Sequence, residues 1–409
     1  MTWRASLAPL RDRNFAWYFG SRFVNTLGNM MANIALAFAV LDVTDSASAL
    51  GQVLAAHTIP MIVLLLWGGV ISDRFPRTLV LQFSNITSAL AQGLIALLVL
   101  TGTAELWSLI VLSVIHGAVS AIALPAMASM VPQLVPRDQL QSANTLLSIT
   151  RNGMTIIGPT IGGLLVVTVG SGWALAIDAA TWALSAALLL GVRIPAREPS
   201  EATPDTWREL REGWTYFRST TWLWVVVLGF GALNLIHNGA WFVLGPVVAQ
   251  ETIGRQGWGY VLSAEAAGLF LMGLILLRVR LERPLRYGML GISFMGVPMV
   301  ILGVEPHLGA LLVGAFIGGL GIEVFALGWN LAMHENVPEE MQSRAWSYDA
   351  LGSFIAMPIG QMAYGPLGHL FGYRDVLLVS GVAYVLLCGL VLCSRSVRDL
   401  PRAVEHAAG

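Results

Sequence analysis

Twelve apolar runs, each near the length of a bilayer crossing, dominate this 409-residue chain. They lie at roughly 15–40, 49–71, 78–101, 106–131, 147–169, 173–193, 222–248, 257–279, 286–304, 308–332, 347–370 and 374–393. An α-helix rises 1.5 Å per residue, so about 20 mostly apolar residues span the hydrocarbon layer. The count of twelve rests most heavily on 286–304, the shortest run. Only 11% of residues are charged and the mean hydropathy is +0.70, whereas a soluble domain carries roughly 25% charged residues on its surface. No single protein core could absorb that apolar excess. The solvent for most of the surface is lipid, and the sequence predicts an all-α membrane protein with twelve transmembrane helices.

Orientation follows from the basic residues, all 23 of which are arginine. With the N-terminus inside, 20 of the 23 fall on or beside cytoplasmic segments; Arg255 and Arg374 fall outside, and Arg22 lies within the first helix. A missed or inverted helix would scatter that bias. Both termini are therefore expected in the cytoplasm, in a multi-pass protein of a bacterial cytoplasmic (inner) membrane. Residues 1–14 hold three arginines, and the apolar run that follows is too long for a cleavable signal.

The absence of lysine removes whole chemistries. It leaves no P-loop lysine for a nucleotide, no Schiff-base lysine and no Ser–Lys dyad. No HExxH, GxSxG or Cys/His ligand cluster is present either, so neither an enzyme nor a cofactor or metal site is indicated. Cys388 and Cys393, five residues apart on one helix, suit neither a disulfide nor a metal. A net charge of −1 gives no reason to expect nucleic acid.

The longest polar stretch, 194–221, divides the chain into bundles at 1–193 and 222–409. It carries three prolines, then Trp207, Leu210, Trp214 and Phe217 at helical spacing among Arg208, Arg211 and Arg218. This predicts a short amphipathic helix on the cytoplasmic membrane surface. A passive linker and a lipid-sensing or calmodulin-like element are its two readings.

The bundles look like copies. Val135-Pro136 and the residues up to Gln141-Ser142 match Val337-Pro338 and the residues up to Gln342-Ser343, the prolines lying 202 residues apart. In helices 1 and 7, Asn29 and Asn33 recur as Asn234 and Asn238, offset by 205. Duplication of a six-helix unit is a common architecture of secondary transporters. Two pseudo-symmetric six-helix bundles are expected.

Between helices 2 and 3 stands Gly69-Val-Ile-Ser-Asp73-Arg74-Phe-Pro-Arg77. It resembles motif A of the major facilitator superfamily, departing from the family pattern at Pro76 and Thr78. In the family this charge cluster latches the halves together, with the aspartate near the start of helix 11. The resemblance assigns that role to Gly69, Asp73, Arg74 and Arg77, with Asp349 able to join the latch or cap helix 11. Helix 5 holds Gly158-Pro159-Thr-Ile-Gly162-Gly163, similar to the antiporter motif of drug exporters, although Met154 replaces an earlier glycine. A plain packing motif is the other reading, since small residues let helices approach and proline weakens the backbone ladder. The stretch Pro125 to Leu189, with Ser142-Ala-Asn144 and Ile177-Asp178, resembles the DHA3 drug:proton antiporter branch, which includes macrolide efflux proteins and the enterobactin exporter. Ser113 stands where other drug antiporters carry an arginine in helix 4.

In that fold helices 1, 4, 7 and 10 line the central cavity. Independently, their polar residues form stripes. On helix 1, Arg22, Asn25, Asn29 and Asn33 fall within about 80° of arc; helix 7 carries Asn234, His237, Asn238 and Trp241. Helix 4 has Ser113, His116 and Ser120, and helix 10 has Glu323, Asn330 and His334. Such faces are costly against lipid. Helix 3 has Ser84, Asn85, Thr87, Ser88 and Gln92 yet is expected to be peripheral, so a polar stripe also serves as interhelical glue.

Four acids lie within apolar runs: Asp178, Glu265, Glu323 and Asp349. A membrane-embedded carboxyl can carry a proton between faces. Glu265, near mid-membrane, and Glu323, on a cavity helix, are the candidates for proton coupling or for binding a cationic substrate; Asp178, near the outer end of helix 6, is expected to be structurally paired. Arg22 either pairs with an acid or snorkels to the membrane edge. The combined expectation is a monomeric, cofactor-free secondary transporter that exports a small amphipathic drug or natural product by proton antiport. Uptake of a nutrient or siderophore is the alternative, and a membrane enzyme or receptor a remote one.

Overall fold

A computed structural model describes residues 7–193 and 214–401. The longer helices are α1 (Arg13–Thr44), α2 (Ala47–Arg74), α3 (Arg77–Leu100), α4 (Leu106–Ala128), α5 (Leu140–Thr168) and α6 (Ser171–Leu189). In the second half, α7 runs over Thr221–Ile236, a π-helical stretch His237–Leu244 and Gly245–Glu251. Then follow α8 (Gly254–Leu276), α9 (Pro284–Ser293 and Gly296–Val304), α10 (Leu308–Asn336), α11 (Glu339–Phe354 and Ala356–Phe371) and α12 (Tyr373–Cys393). Among the described residues, ten of these are long and apolar enough to cross a membrane. The other two are α11, interrupted at Ile355, and α5, whose first turns carry Gln141, Ser142, Asn144 and Thr145. Most of the described residues are therefore helix, as expected, and the greater part of the amphipathic stretch, Trp207 and Leu210 included, lies outside them.

The chain divides into two compact units, Met1–Glu201 and Ala202–Gly409. In the first, α2 packs on α4, α3 on α4 and α6, and α1 on α5 and α6; in the second, α8 packs on α10, α9 on α10 and α12, and α7 on α11 and α12. The pairing scheme is the same, shifted by six helices. Local features repeat with it. Gly170 and Gly372, each with positive φ (91° and 88°), precede α6 and α12, and they lie 202 residues apart like Pro136 and Pro338. Those two prolines sit just ahead of α5 and α11. A proline there ends the preceding chain and needs no N–H of its own, so the repeated Val-Pro motif marks a helix start. It also makes both helices begin earlier than the apolar runs suggest, at Leu140 and Glu339. Asp349 is consequently ten residues inside α11 rather than at its start.

Helices in lipid gain nothing from hiding apolar surface from water, so they associate through close packing at small residues. A Cβ on Gly117 of α4 would overlap the carbonyl oxygen of His57 on α2, and one on Gly319 of α10 would overlap the carbonyl oxygen of Glu265 on α8. Gly117 and Gly319 again differ by 202. Likewise Gly158 of α5 touches Met30 of α1, and Gly360 of α11 touches Leu235 of α7. Polar side chains add fixed points in the first unit: Ser21 and Ser185 meet at 2.8 Å, Asn85 donates to Ser185 at 3.1 Å, and Ser84 donates to the Val119 carbonyl at 3.1 Å. The polar face of α3 is thus glue.

Substituting Gly319 by leucine should drive α8 and α10 apart, lowering the thermal midpoint in detergent by several degrees and the folded yield with it. Gly389, with nothing within 4 Å of an added Cβ, should accept alanine without loss. Fluorescence-detected size exclusion after a heat step reads both.

Candidate functional site

The best-defined polar site of the second unit is built around the π stretch of α7. Pro246, at the end of that stretch, has no N–H to return to the carbonyl one turn back, and a π turn absorbs the mismatch with one extra residue. The stretch carries His237, Asn238 and Trp241. The Trp241 indole is fully buried and donates its N–H to Glu265 Oε2 at 2.9 Å. Glu265 lies eleven residues from each end of α8 (Gly254 and Leu276), at the middle of a helix that crosses the membrane. Trp258 packs on Trp241 with ring centroids 4.7 Å apart. The carboxyl group is therefore buried and tied to an indole donor that Trp258 backs.

One turn back, Asn234 donates to the Ser353 carbonyl at 3.1 Å, and Asn238 donates to the Asn234 carbonyl at 3.0 Å while accepting from Gln361 at 3.3 Å. These asparagines join α7 to α11. His237 stacks on Phe242 at 5.1 Å, and its Nε2 has no hydrogen-bond partner. On α10, Glu323 is half-buried and its Oε1 lies 3.5 Å from where a Cβ on Gly273 of α8 would stand. Glu265 and Glu323 thus both belong to the α8–α10 pair, about 12 Å apart along α8 when the latter is placed at Gly273. Asn330 is exposed and gives its N–H to the Ala326 carbonyl at 2.7 Å. Asp349 accepts from Trp329 at 3.0 Å and from Ser353 at 3.0 Å, so both of its oxygens are engaged by its own unit.

In the first unit, Arg22 donates to Asn25 Oδ1 at 3.2 Å. Asn25 is buried, Asn29 half-buried and Asn33 exposed, so the α1 stripe runs from packed to open along the helix. His116 is buried between His57, at a ring distance of 5.1 Å, and Trp182, edge-on at 5.5 Å; its Nε2 has no partner. Sequence reasoning did not single out His57. Its signal is the offset repeat: Gly117 meets His57 on α2 as Gly319 meets Glu265 on α8.

Asp178 lies on the buried face of α6. It is wholly buried, and neither carboxylate oxygen has a hydrogen-bond partner of normal geometry. Thr181 spends its hydroxyl on the Asp178 carbonyl at 2.7 Å, and a Cβ on Gly28 of α1 would come within 2.7 Å of Asp178 Oδ1. The helix turns this residue inward onto α1, beside the Thr181 hydroxyl and the Trp182 indole of its own helix.

Of the motif between α2 and α3, the side chains of residues 65–74 lie outside the described part of the structure, Gly69, Asp73 and Arg74 among them. Arg77 donates to the Ser129 carbonyl at 2.8 Å, tying the start of α3 to the end of α4. In the helix-5 motif, Gly158, Pro159, Gly162 and Gly163 are all buried, and a Cβ on Gly162 would lie 2.7 Å from the Met31 carbonyl oxygen. Those glycines seat α5 on α1. Among the described residues no cluster of three or more His, Cys, Asp or Glu could hold a metal.

Residues 4–406 match the model of a family described as transmembrane secretion effectors. The chain belongs to this family of major facilitator transporters. It is 25% identical to the multidrug efflux pump Tap of Mycolicibacterium fortuitum, over 92% of this chain and 94% of that protein. It is 24% identical to the enterobactin exporter EntS of Escherichia coli O157:H7, over 100% and 99%. The nucleoside transporter NupG shares the fold, with a TM-score of 0.74, 12% identity, and coverage of 93% of this chain and 98% of that one. The major facilitator fold and a non-enzymatic transporter role, both expected from the residues, are those of the family.

Within this transporter the Trp241–Glu265 bond makes a separable prediction. Trp241→Phe removes the donor and keeps the ring, and should cost about 1–3 kcal/mol of stability. In a double-mutant cycle with Glu265→Gln the two changes should be non-additive by at least about 0.5 kcal/mol. Thermal melts of the four purified proteins check this, additive effects being the contrary result.

Proposed function

We propose that this transporter exports a small amphipathic molecule, a drug or a secreted natural product, in exchange for protons. It does so by exposing one binding site alternately to the two faces of the cytoplasmic membrane. The observation that carries the reading is the Glu265 carboxyl, half-way along α8 and bonded to the Trp241 indole in the π stretch of α7. Proton uptake removes the carboxylate charge and weakens a charge-assisted bond to a neutral one. The proton state of α8 is thereby felt by α7, whose extra residue per turn gives that segment a second register to relax into. Glu323, half-exposed on α10, is the second candidate carrier.

Export rather than uptake is favoured by the family description and by the relatives, which are themselves named a multidrug efflux pump and an enterobactin exporter. Cargo contacts are assigned to Arg22, Asn25, Asn29 and Asn33 on α1, His116 on α4, Asn234, His237, Asn238 and Trp241 on α7, and Asn330 on α10. Their amides and rings offer hydrogen bonds and apolar walls to an amphipathic molecule. Gly69, Asp73, Arg74, Arg77 and Asp349 form the latch in this reading, Gly158, Pro159, Gly162 and Gly163 give α5 the bend of an antiporter, and the protein works as a monomer with both termini in the cytoplasm.

The test is efflux of ethidium and of a macrolide from proteoliposomes under an imposed pH gradient. Glu265→Gln should reduce gradient-driven efflux at least about tenfold, equivalent to ~1.4 kcal/mol, while leaving gradient-independent exchange of substrate intact. Glu323→Gln and the double variant rank the two carboxyls. Undiminished gradient-driven efflux in the double variant would remove both from the coupling mechanism, and net uptake would reverse the direction.

A further inference from the structure

At the amino-terminal end of α7 an open groove of about 440 Å³ lies outside every residue assigned above to cargo or protons. One side is a cluster of three rings: Trp214 stacks on Phe217 at 5.8 Å, and Tyr348 of α11 packs against both at 5.5–5.7 Å. The other walls are aliphatic, from Val227 and Leu228 of α7 and Leu351 and Ile355 of α11. Gly352 keeps the floor low, since a Cβ there would strike Val227. Among the described residues these walls stay open: Leu228 is 61% exposed and Ile355 54%. The volume is that of a small-ligand pocket, roughly 300–1,000 Å³.

Among the described residues one charged side chain lines the groove, that of Arg218. It is exposed and makes no ion pair among the described residues. A free guanidinium is a fork for phosphate oxygens, and Trp and Tyr gather where a helix leaves the hydrocarbon for the headgroup layer. The groove therefore offers an apolar slot, rings at its mouth and a phosphate-binding cation beside them.

We infer that this groove is a binding site for one anionic phospholipid, an acyl chain lying between α7 and α11 and the head-group phosphate on Arg218. The site joins the end of the polar linker to α11, so an occupied groove fastens that segment to the bundle. It gives the amphipathic stretch a specific lipid partner and is independent of which carboxyl carries protons.

Native mass spectrometry of the purified full chain, titrated with dioleoyl phosphatidylglycerol or dioleoyl phosphatidylcholine, tests the site. The wild type should retain one phosphatidylglycerol at least about fivefold more tightly than phosphatidylcholine. Arg218→Ala should abolish that preference and Arg218→Lys should restore part of it; Leu228→Trp, which fills the slot from an exposed position, should weaken both lipids. Size exclusion confirms that each variant is folded. Equal retention of the two lipids by the wild type, or an Arg218→Ala protein that keeps the preference, overturns the proposal. So does a wild type that binds neither lipid.

Discussion

Close backbone contact at glycine is what the rest of this structure depends on. The α2–α4 and α8–α10 pairs approach so tightly that the carbonyls of His57 and Glu265 sit where a side chain on Gly117 or Gly319 would be. The α1–α5 and α7–α11 pairs repeat the arrangement at Gly158 and Gly360. In lipid there is no water to expel from between helices, so dispersion and short backbone approaches must supply the association. Each of these crossings fixes the rotation of two helices at once. That rotation decides which side chains are enclosed and which face outward, including Glu265, His57 and the asparagines of α1 and α7.

The sequence announced the helices, and much of the duplication, because hydropathy and turn residues are local properties. Val135-Pro136 and Val337-Pro338 could be recognised as copies since a proline ahead of a helix has a meaning that needs no tertiary information. Gly117 and Gly319, or Gly170 and Gly372, stand at the same offset of 202, yet they are lost among 43 glycines until the packing shows which ones touch a neighbour. The π stretch of α7 left no periodic trace beyond Pro246, because one extra residue in one turn barely disturbs an apolar pattern. Asp178 was legible as an acid in a helix, but its enclosure depends on the rotation of α6 against Gly28. The polar face of α3 illustrates the same limit: Ser84 and Asn85 serve α4 and α6, and a list of polar residues cannot distinguish glue from a lining.

The two units share a scaffold while differing in what they place on it. At equivalent crossings the first unit carries His57 beside His116, and the second carries Glu265 beside Trp241. On taking up a proton an imidazole of the pair becomes a cation, whereas the carboxyl held by an indole loses its negative charge and becomes neutral. The first unit also encloses Asp178, with no hydrogen bond of normal geometry to either oxygen, in a place where a charge is expensive. Backbone geometry is thus inherited twice, whereas the ionisable chemistry is not.

That separation bears on how such a chain can change function without losing its fold. Gly117, Gly158, Gly319 and Gly360 admit no larger side chain without displacing a backbone, so they constrain sequence in both units equally. His57 and Glu265 contribute to the crossings through their carbonyl oxygens, which any residue possesses. Their side chains are free to differ as long as the volume beside them is filled, by Trp182 behind His116 and by Trp241 beside Glu265. The positions that carry charge are therefore those where the packing demands only a backbone, and it is there that one bundle can acquire a proton-binding group its copy lacks.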